Sequence, residues 1–161
     1  MKKYSKKNKR RKSPQMIYWE NKLLPILGKI HGTHARNVFH RVMRKSSNLK
    51  SSLKKRSKEY EVIFDIDLLA LREMIFKDYG KKCRYCKTRL VVNNMACDHI
   101  NPMSMGGASI SENLQIICER CNRRKGPLTH IEYNALCIFL EQQEEHVRSY
   151  VNRKLSGKEA F

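Results

Sequence analysis

The sequence has no run of apolar residues long enough to cross a bilayer, since a span needs about 20 of them in succession. Its most apolar stretch, Val62 to Phe76, is cut by Asp65, Asp67, Arg72 and Glu73. A membrane-spanning role is therefore not expected. The opening "MKKYSKKNKRRK" carries the charge of a secretory n-region but is followed by no apolar segment, so an intracellular, cytoplasmic protein is expected. Acidic residues are scarce too: 15 Asp and Glu stand against 34 Lys and Arg, a formal net charge of +19. That excess is far beyond what solubility requires and points to a polyanionic partner or to an acidic membrane surface. Internal repeats are absent, and 161 residues with 40% hydrophobic content can build one modest core with appendages.

The charge is unevenly placed. Residues 1 to 60 hold 19 Lys and Arg against 2 Asp and Glu, whereas the remaining residues hold 15 against 13. Eight cations in the first twelve positions leave almost nothing to bury, and residues 1–14 read as a disordered basic tail. Apolar residues recur from Met16 to about Lys45, interrupted by Pro25 and Gly32, which suggests two short amphipathic helices. The Ser- and Lys-rich stretch that follows, with Lys54, Lys55 and Arg56, could be a solvated linker or a basic helix laid along a nucleic-acid backbone, and the helix is the favoured reading. Residues 15–60 are thus assigned to a basic helical DNA-binding extension and 61–145 to a catalytic domain. Residues 146–161 are assigned to the end of a helix and a tail.

Within 61–145 a helix is expected from Asp67, a plausible cap, to Gly80. "MACDHI" and "LQIIC" read as short strands joined by the Gly/Ser/Asn loop "NPMSMGGASISEN". A helix should start near Glu119, and another after Thr129, where Thr129 and Glu132 have capping-box spacing. Four of the six cysteines fall into two Cys-x-x-Cys pairs, Cys83/Cys86 and Cys118/Cys121. In a reducing compartment that spacing suggests metal binding over disulfides. Four thiolates suit a closed tetrahedral Zn²⁺ site, which staples two segments and has no open position for chemistry. Cys97 and Cys137 read as buried small hydrophobes.

Between the two pairs, Asp98 offers a hard oxygen ligand for Mg²⁺ or Mn²⁺, and a neutral His99 can take a proton from water near pH 7. Phosphodiester hydrolysis needs both functions. The order Cys-x-x-Cys, Asp-His-Ile-x-Pro, Gly-Gly, Glu-Asn-Leu-Gln, Cys-x-x-Cys-Asn-x-x-Lys-Gly over residues 83 to 126 resembles the HNH endonuclease family. Flanking segments extend a looser likeness, to small HNH proteins of phages and mobile elements, over about residues 50 to 145. The resemblance implies an α+β fold with a ββα-metal core, a structural four-cysteine zinc site, flanking helices and the basic N-terminal extension.

It further implies that His99 is the general base, that Asp98 holds the catalytic divalent metal, and that Asn113 orients the His99 ring by a hydrogen bond. The family's third signature residue is a histidine directly after the fourth zinc cysteine, and here that position is Asn122. An amide carbonyl is a hard oxygen donor, so the departure favours Mg²⁺ or Mn²⁺ over imidazole-preferring ions. Arg123, Arg124 and Lys125 follow within one helical turn and are candidates for phosphate contacts, together with Lys54, Lys55 and Arg56. The expected activity is metal-dependent cleavage or nicking of double-stranded DNA. Two alternatives stay open: a zinc module that binds DNA without cutting, and a degenerate nuclease kept as a partner of phage packaging or replication proteins.

Overall fold

The computed structural model describes residues 13–157. The first twelve positions of the basic tail, and residues 158–161 of the C-terminal tail, lie outside them. Ser13 starts the first helix, α1 (Pro14–His31), by accepting a hydrogen bond from the Met16 amide, with proline at the first helical position where no intrahelical donor is needed. Pro25 lies inside α1 without ending it; Gly32, with φ of +53°, does end it. After a short 3-10 turn, α2 (Ala35–Glu59) runs for 25 residues, so the Ser- and Lys-rich stretch is helical. Trp19, Leu23, Leu27 and Phe39 are buried. The described residues divide into two compact units, one ending at His40 and the other starting at Arg41, with the division inside α2. The charge pattern alone put the boundary at residue 60, because composition cannot detect where one helix passes between two packing units.

In the second unit a two-residue strand, β1 (Phe64–Asp65), precedes α3 (Leu68–Asp78). Asp67 caps α3, its carboxylate accepting from the Ala70 amide at 2.7 Å. Strand β2 (Met95–His99) leads into a long loop that contains β3 (Ser109–Ile110), and β4 (Leu114–Cys118) returns antiparallel to β2. All ten residues of β2 and β4 are buried, because α3 packs on β4 and α4 (Glu119–Lys125) packs on β2. The order β2, β4, α4 is the expected ββα unit, and the fold is α+β. β3 pairs in parallel with β1, which ties the β2–β4 loop to the segment leaving α2.

The chain closes with α5 (His130–Glu141), opened by the Thr129/Glu132 capping box, and α6 (Glu145–Leu155). α6 is a helix in its own right that contacts α4, where the sequence suggested only the end of a preceding helix. No helix among the described residues is long and apolar enough to cross a membrane.

Candidate active site and metal centres

The two Cys-x-x-Cys pairs meet. The sulfurs of Cys83, Cys86, Cys118 and Cys121 all lie within 4.8 Å of one another, and Cys86 Sγ is 3.5 Å from Cys118 Sγ. Tetrahedral Zn²⁺ with bonds of about 2.3 Å needs sulfurs about 3.8 Å apart, so the cluster fits that ion. The first pair sits on a tight knuckle in which the Cys83 amide donates to the Thr88 carbonyl at 2.7 Å and Lys87 takes a left-handed φ of +60°. The second pair spans the β4–α4 junction, where the Cys121 amide donates to Cys118 Sγ at 3.4 Å. A metal held there fixes the start of α4 relative to the 83–86 knuckle.

The loop from Ile100 to Asn113 is shaped by its glycines and by one asparagine. Gly106 has φ of +79°, and a Cβ on Gly107 would lie 1.9 Å from the Asn101 carbonyl oxygen, so neither position accepts a side chain without rearrangement. The Asn113 amide grips the loop at three points: its Oδ1 accepts from the Asn101 amide, and its Nδ2 donates to the carbonyls of Asn101 and Ala108, all within 2.8 to 3.0 Å. The expected bond from Asn113 to the His99 ring is not formed. The short amide is spent on the loop backbone, and the imidazole finds a different partner: His99 Nε2 lies 2.8 Å from Ser109 Oγ.

Asp98 and His99 are both buried at the end of β2. Asp98 sits opposite Gln115 in the ladder, and residues directly opposite share a face. Gln115 Nε2 accordingly donates to Asp98 Oδ2 at 2.7 Å. Gln115 is itself held, its Oε1 accepting from Arg84 at 2.6 Å and its Nε2 also reaching the Tyr85 hydroxyl, which lies 2.7 Å from His130 Nδ1. Lys125 is placed differently from expectation. It is 1% exposed, its ammonium donating to the His99 carbonyl at 2.7 Å and pairing with Asp98 Oδ1 at 3.3 Å. It is an internal counter-ion, because the last turn of α4 faces the end of β2 at this position.

Burial pushes the Asp98 carboxyl above its ordinary value, opposed by the Gln115 bond and the Lys125 charge. Burial, with the Arg56 and Lys125 charges nearby, lowers the His99 imidazole to about 4 and keeps it neutral at physiological pH.

These residues open onto one cavity of about 340 Å³, whose lining includes Asp98, His99, Asn122, Lys125, Arg56 and Arg123. Asn122 is half-buried on α4, and its side-chain amide makes no hydrogen bond among the described residues. A carboxylate and an amide oxygen lining the same cavity are donors that suit a hard divalent cation, which can take few protein ligands and keep its waters. Arg56 reaches this cavity from α2, so a residue assigned to a separate DNA-binding extension belongs to the wall of the site. Lys54 and Lys55 are exposed on α2 and do not line the cavity; Lys55 lies 3.7 Å from Glu59. Arg123 lines this cavity and also a second one, bounded by Arg120, Arg124 and Arg153 between α4 and α6. Sequence reasoning missed Ser57, Ser109, Gln115 and Tyr85. Only Gln115, inside the Glu-Asn-Leu-Gln run, carried any signal.

Residues 83–128 match the family model described as HNH endonuclease. No curated protein matches the chain.

Proposed function

We propose, on the strength of that match and of the cavity beside it, that the protein is a metal-dependent DNA endonuclease or nickase. One observation carries the reading: Asp98, His99 and Asn122, whose amide has no hydrogen-bond partner among the described residues, line a single cavity together with Arg56 and Arg123. A carboxylate and an amide oxygen suited to a hard cation, a neutral imidazole that can take a proton, and guanidiniums that can bind phosphate are groups suited to phosphodiester hydrolysis. A polar surface patch without catalytic work has no need to bury two of them.

Asp98 and Asn122 are the residues that would hold Mg²⁺ or Mn²⁺, through a carboxylate oxygen and the amide oxygen. A divalent cation bound there would offset charge on the phosphoryl oxygens and on the departing 3′ oxygen. Gln115 and Lys125 hold the Asp98 carboxylate in one orientation. His99 takes the proton of a water that attacks phosphorus in line, and Arg123 and Arg56 bind phosphates beside the scissile one. Double-stranded DNA is the substrate, cut to 5′-phosphate and 3′-hydroxyl ends. The four cysteines hold structural Zn²⁺, and the N-terminal cations raise the local concentration of DNA.

Incubating supercoiled plasmid with the protein and Mg²⁺ or Mn²⁺ tests the reading. Conversion to nicked or linear DNA by the wild type, lost in His99→Ala, is the expected result. Retarded plasmid without any nicking would instead support DNA binding without cleavage.

A further inference from the structure

The nuclease reading leaves one feature of the site without a role. Two serines, distant from each other in sequence, stand in line behind the His99 ring. His99 Nε2 is 2.8 Å from Ser109 Oγ, and Ser109 Oγ is 2.7 Å from Ser57 Oγ. The three side chains come from β2, β3 and α2, and Ser109 and Ser57 are 0% and 2% exposed. A buried hydroxyl costs free energy unless it is bonded, and an alanine would fill most of the same space. The pair of hydroxyls is therefore accounted for by what it does to the ring.

We propose that Ser109 is a positioning residue for His99, and that Ser57 holds Ser109 in place, so that Nε2 carries the ring hydrogen and Nδ1 is the nitrogen that accepts a proton. The inference rests on the reading of His99 as the proton acceptor. A neutral imidazole has one N–H and one basic nitrogen, and the group bonded to one of them orients the other. With Nε2 turned to a fully buried hydroxyl, only Nδ1 is left for a water in the cavity. Nε2–H donates to Ser109 Oγ, and the Ser109 hydroxyl donates to Ser57 Oγ. When a water gives its proton to Nδ1, the resulting hydroxide attacks phosphorus and the ring becomes an imidazolium that keeps its Nε2–H bond. No heavy atom in the serine chain has to move.

The architecture supports this assignment. β3 is clamped to β1, the Ser109 amide donating to the Ile63 carbonyl at 2.7 Å, and the Val62 amide bonds the Ser57 carbonyl at 2.9 Å. Both hydroxyls are thus fixed by backbone as well as by each other. α2 then serves the site twice: Arg56 faces the cavity and Ser57, the next residue, faces the back of the base.

The test uses the full chain loaded with zinc, in wild-type form and as Ser109→Ala, Ser57→Ala and Ser57→Thr. Steady-state nicking should show kcat lowered about tenfold to a hundredfold in Ser109→Ala, by analogy with the loss of hydrogen-bond partners that orient metal-bound histidines. KM should stay within about twofold, because DNA binding is untouched. Ser57→Ala should fall in the same direction by less, and Ser57→Thr, which keeps the hydroxyl, should recover most of the loss. Ring ¹⁵N spectra should show Nε2–H for His99 in the wild type and a mixture of tautomers in Ser109→Ala.

Unchanged kcat in both alanine variants, or an Nδ1–H ring in the wild type, would overturn the proposal. If Ser109→Ala fails to bind zinc or to melt cooperatively, the Ser57 alanine and threonine pair decides. A wild type that never nicks DNA, yet shows the Nε2–H ring and its loss in Ser109→Ala, overturns the nuclease reading alone.

Discussion

A lysine ammonium shielded from water needs a carboxylate within reach, and Lys125 has Asp98 at 3.3 Å with a carbonyl at 2.7 Å. Removing one partner of a buried pair leaves the other charge uncompensated, so Lys125→Ala should cost about 3–5 kcal/mol in chemical denaturation. A lysine that merely touched phosphate would leave stability unchanged. Asn122 is the opposite case. Its amide has no hydrogen bond to lose among the described residues, so Asn122→Ala should alter stability by no more than about 0.5 kcal/mol while abolishing metal-dependent nicking. The cysteine cluster, and the meeting of Asp98, His99 and Asn122 at one cavity, could be anticipated in the sequence because their intervals are fixed. The inward turn of Lys125 was not, since three cations in a row give no sign of which one faces the protein. Nor was the partner of the imidazole, because Ser109 and Ser57 meet only after two distant segments have paired.

At the scale of elements, the strands and helices around the site could be read from periodicity and caps, and the loop between β2 and β4 only from its composition. Its glycines have distinct jobs. Gly107→Ala would drive a Cβ into the Asn101 carbonyl at 1.9 Å, a clash with backbone that no rotamer relieves, and should destabilise the protein by about 1–3 kcal/mol or more. Asn113→Ala removes three bonds that close the same loop and should cost a comparable amount, read as a lower thermal midpoint. The zinc cluster is the other element-scale support. Structural zinc contributes on the order of 10 kcal/mol, so chelation should abolish cooperative melting, with recovery on adding Zn²⁺ and none on adding Mg²⁺. Losing it frees the start of α4 from the 83–86 knuckle, and Asn122 follows directly on the last of the four cysteines.

For the molecule as a whole, charge is the dominant sequence signal, and it bears on the expected partner more than on the fold. Binding that releases counterions weakens with salt at a slope of about −0.9 per neutralised phosphate, so removing residues 1–12, with their eight cations, should make that slope shallower. A slope identical in the full and shortened chains, measured by DNA retention, would remove the tail from the binding account. Charge counting placed α2 wholly in a binding extension, yet its last turns bring Arg56 to the cavity and Ser57 to Ser109, because a helix can present one face to solvent and another to a packed core. The connection that makes this possible is a single short pairing, β1 with β3, in which the Ser109 amide meets the Ile63 carbonyl. That amide is also a built-in reporter. Its rate of deuterium uptake measures how often the strand behind the imidazole lifts away, and so how much of the time the cavity wall is assembled, before any DNA is added.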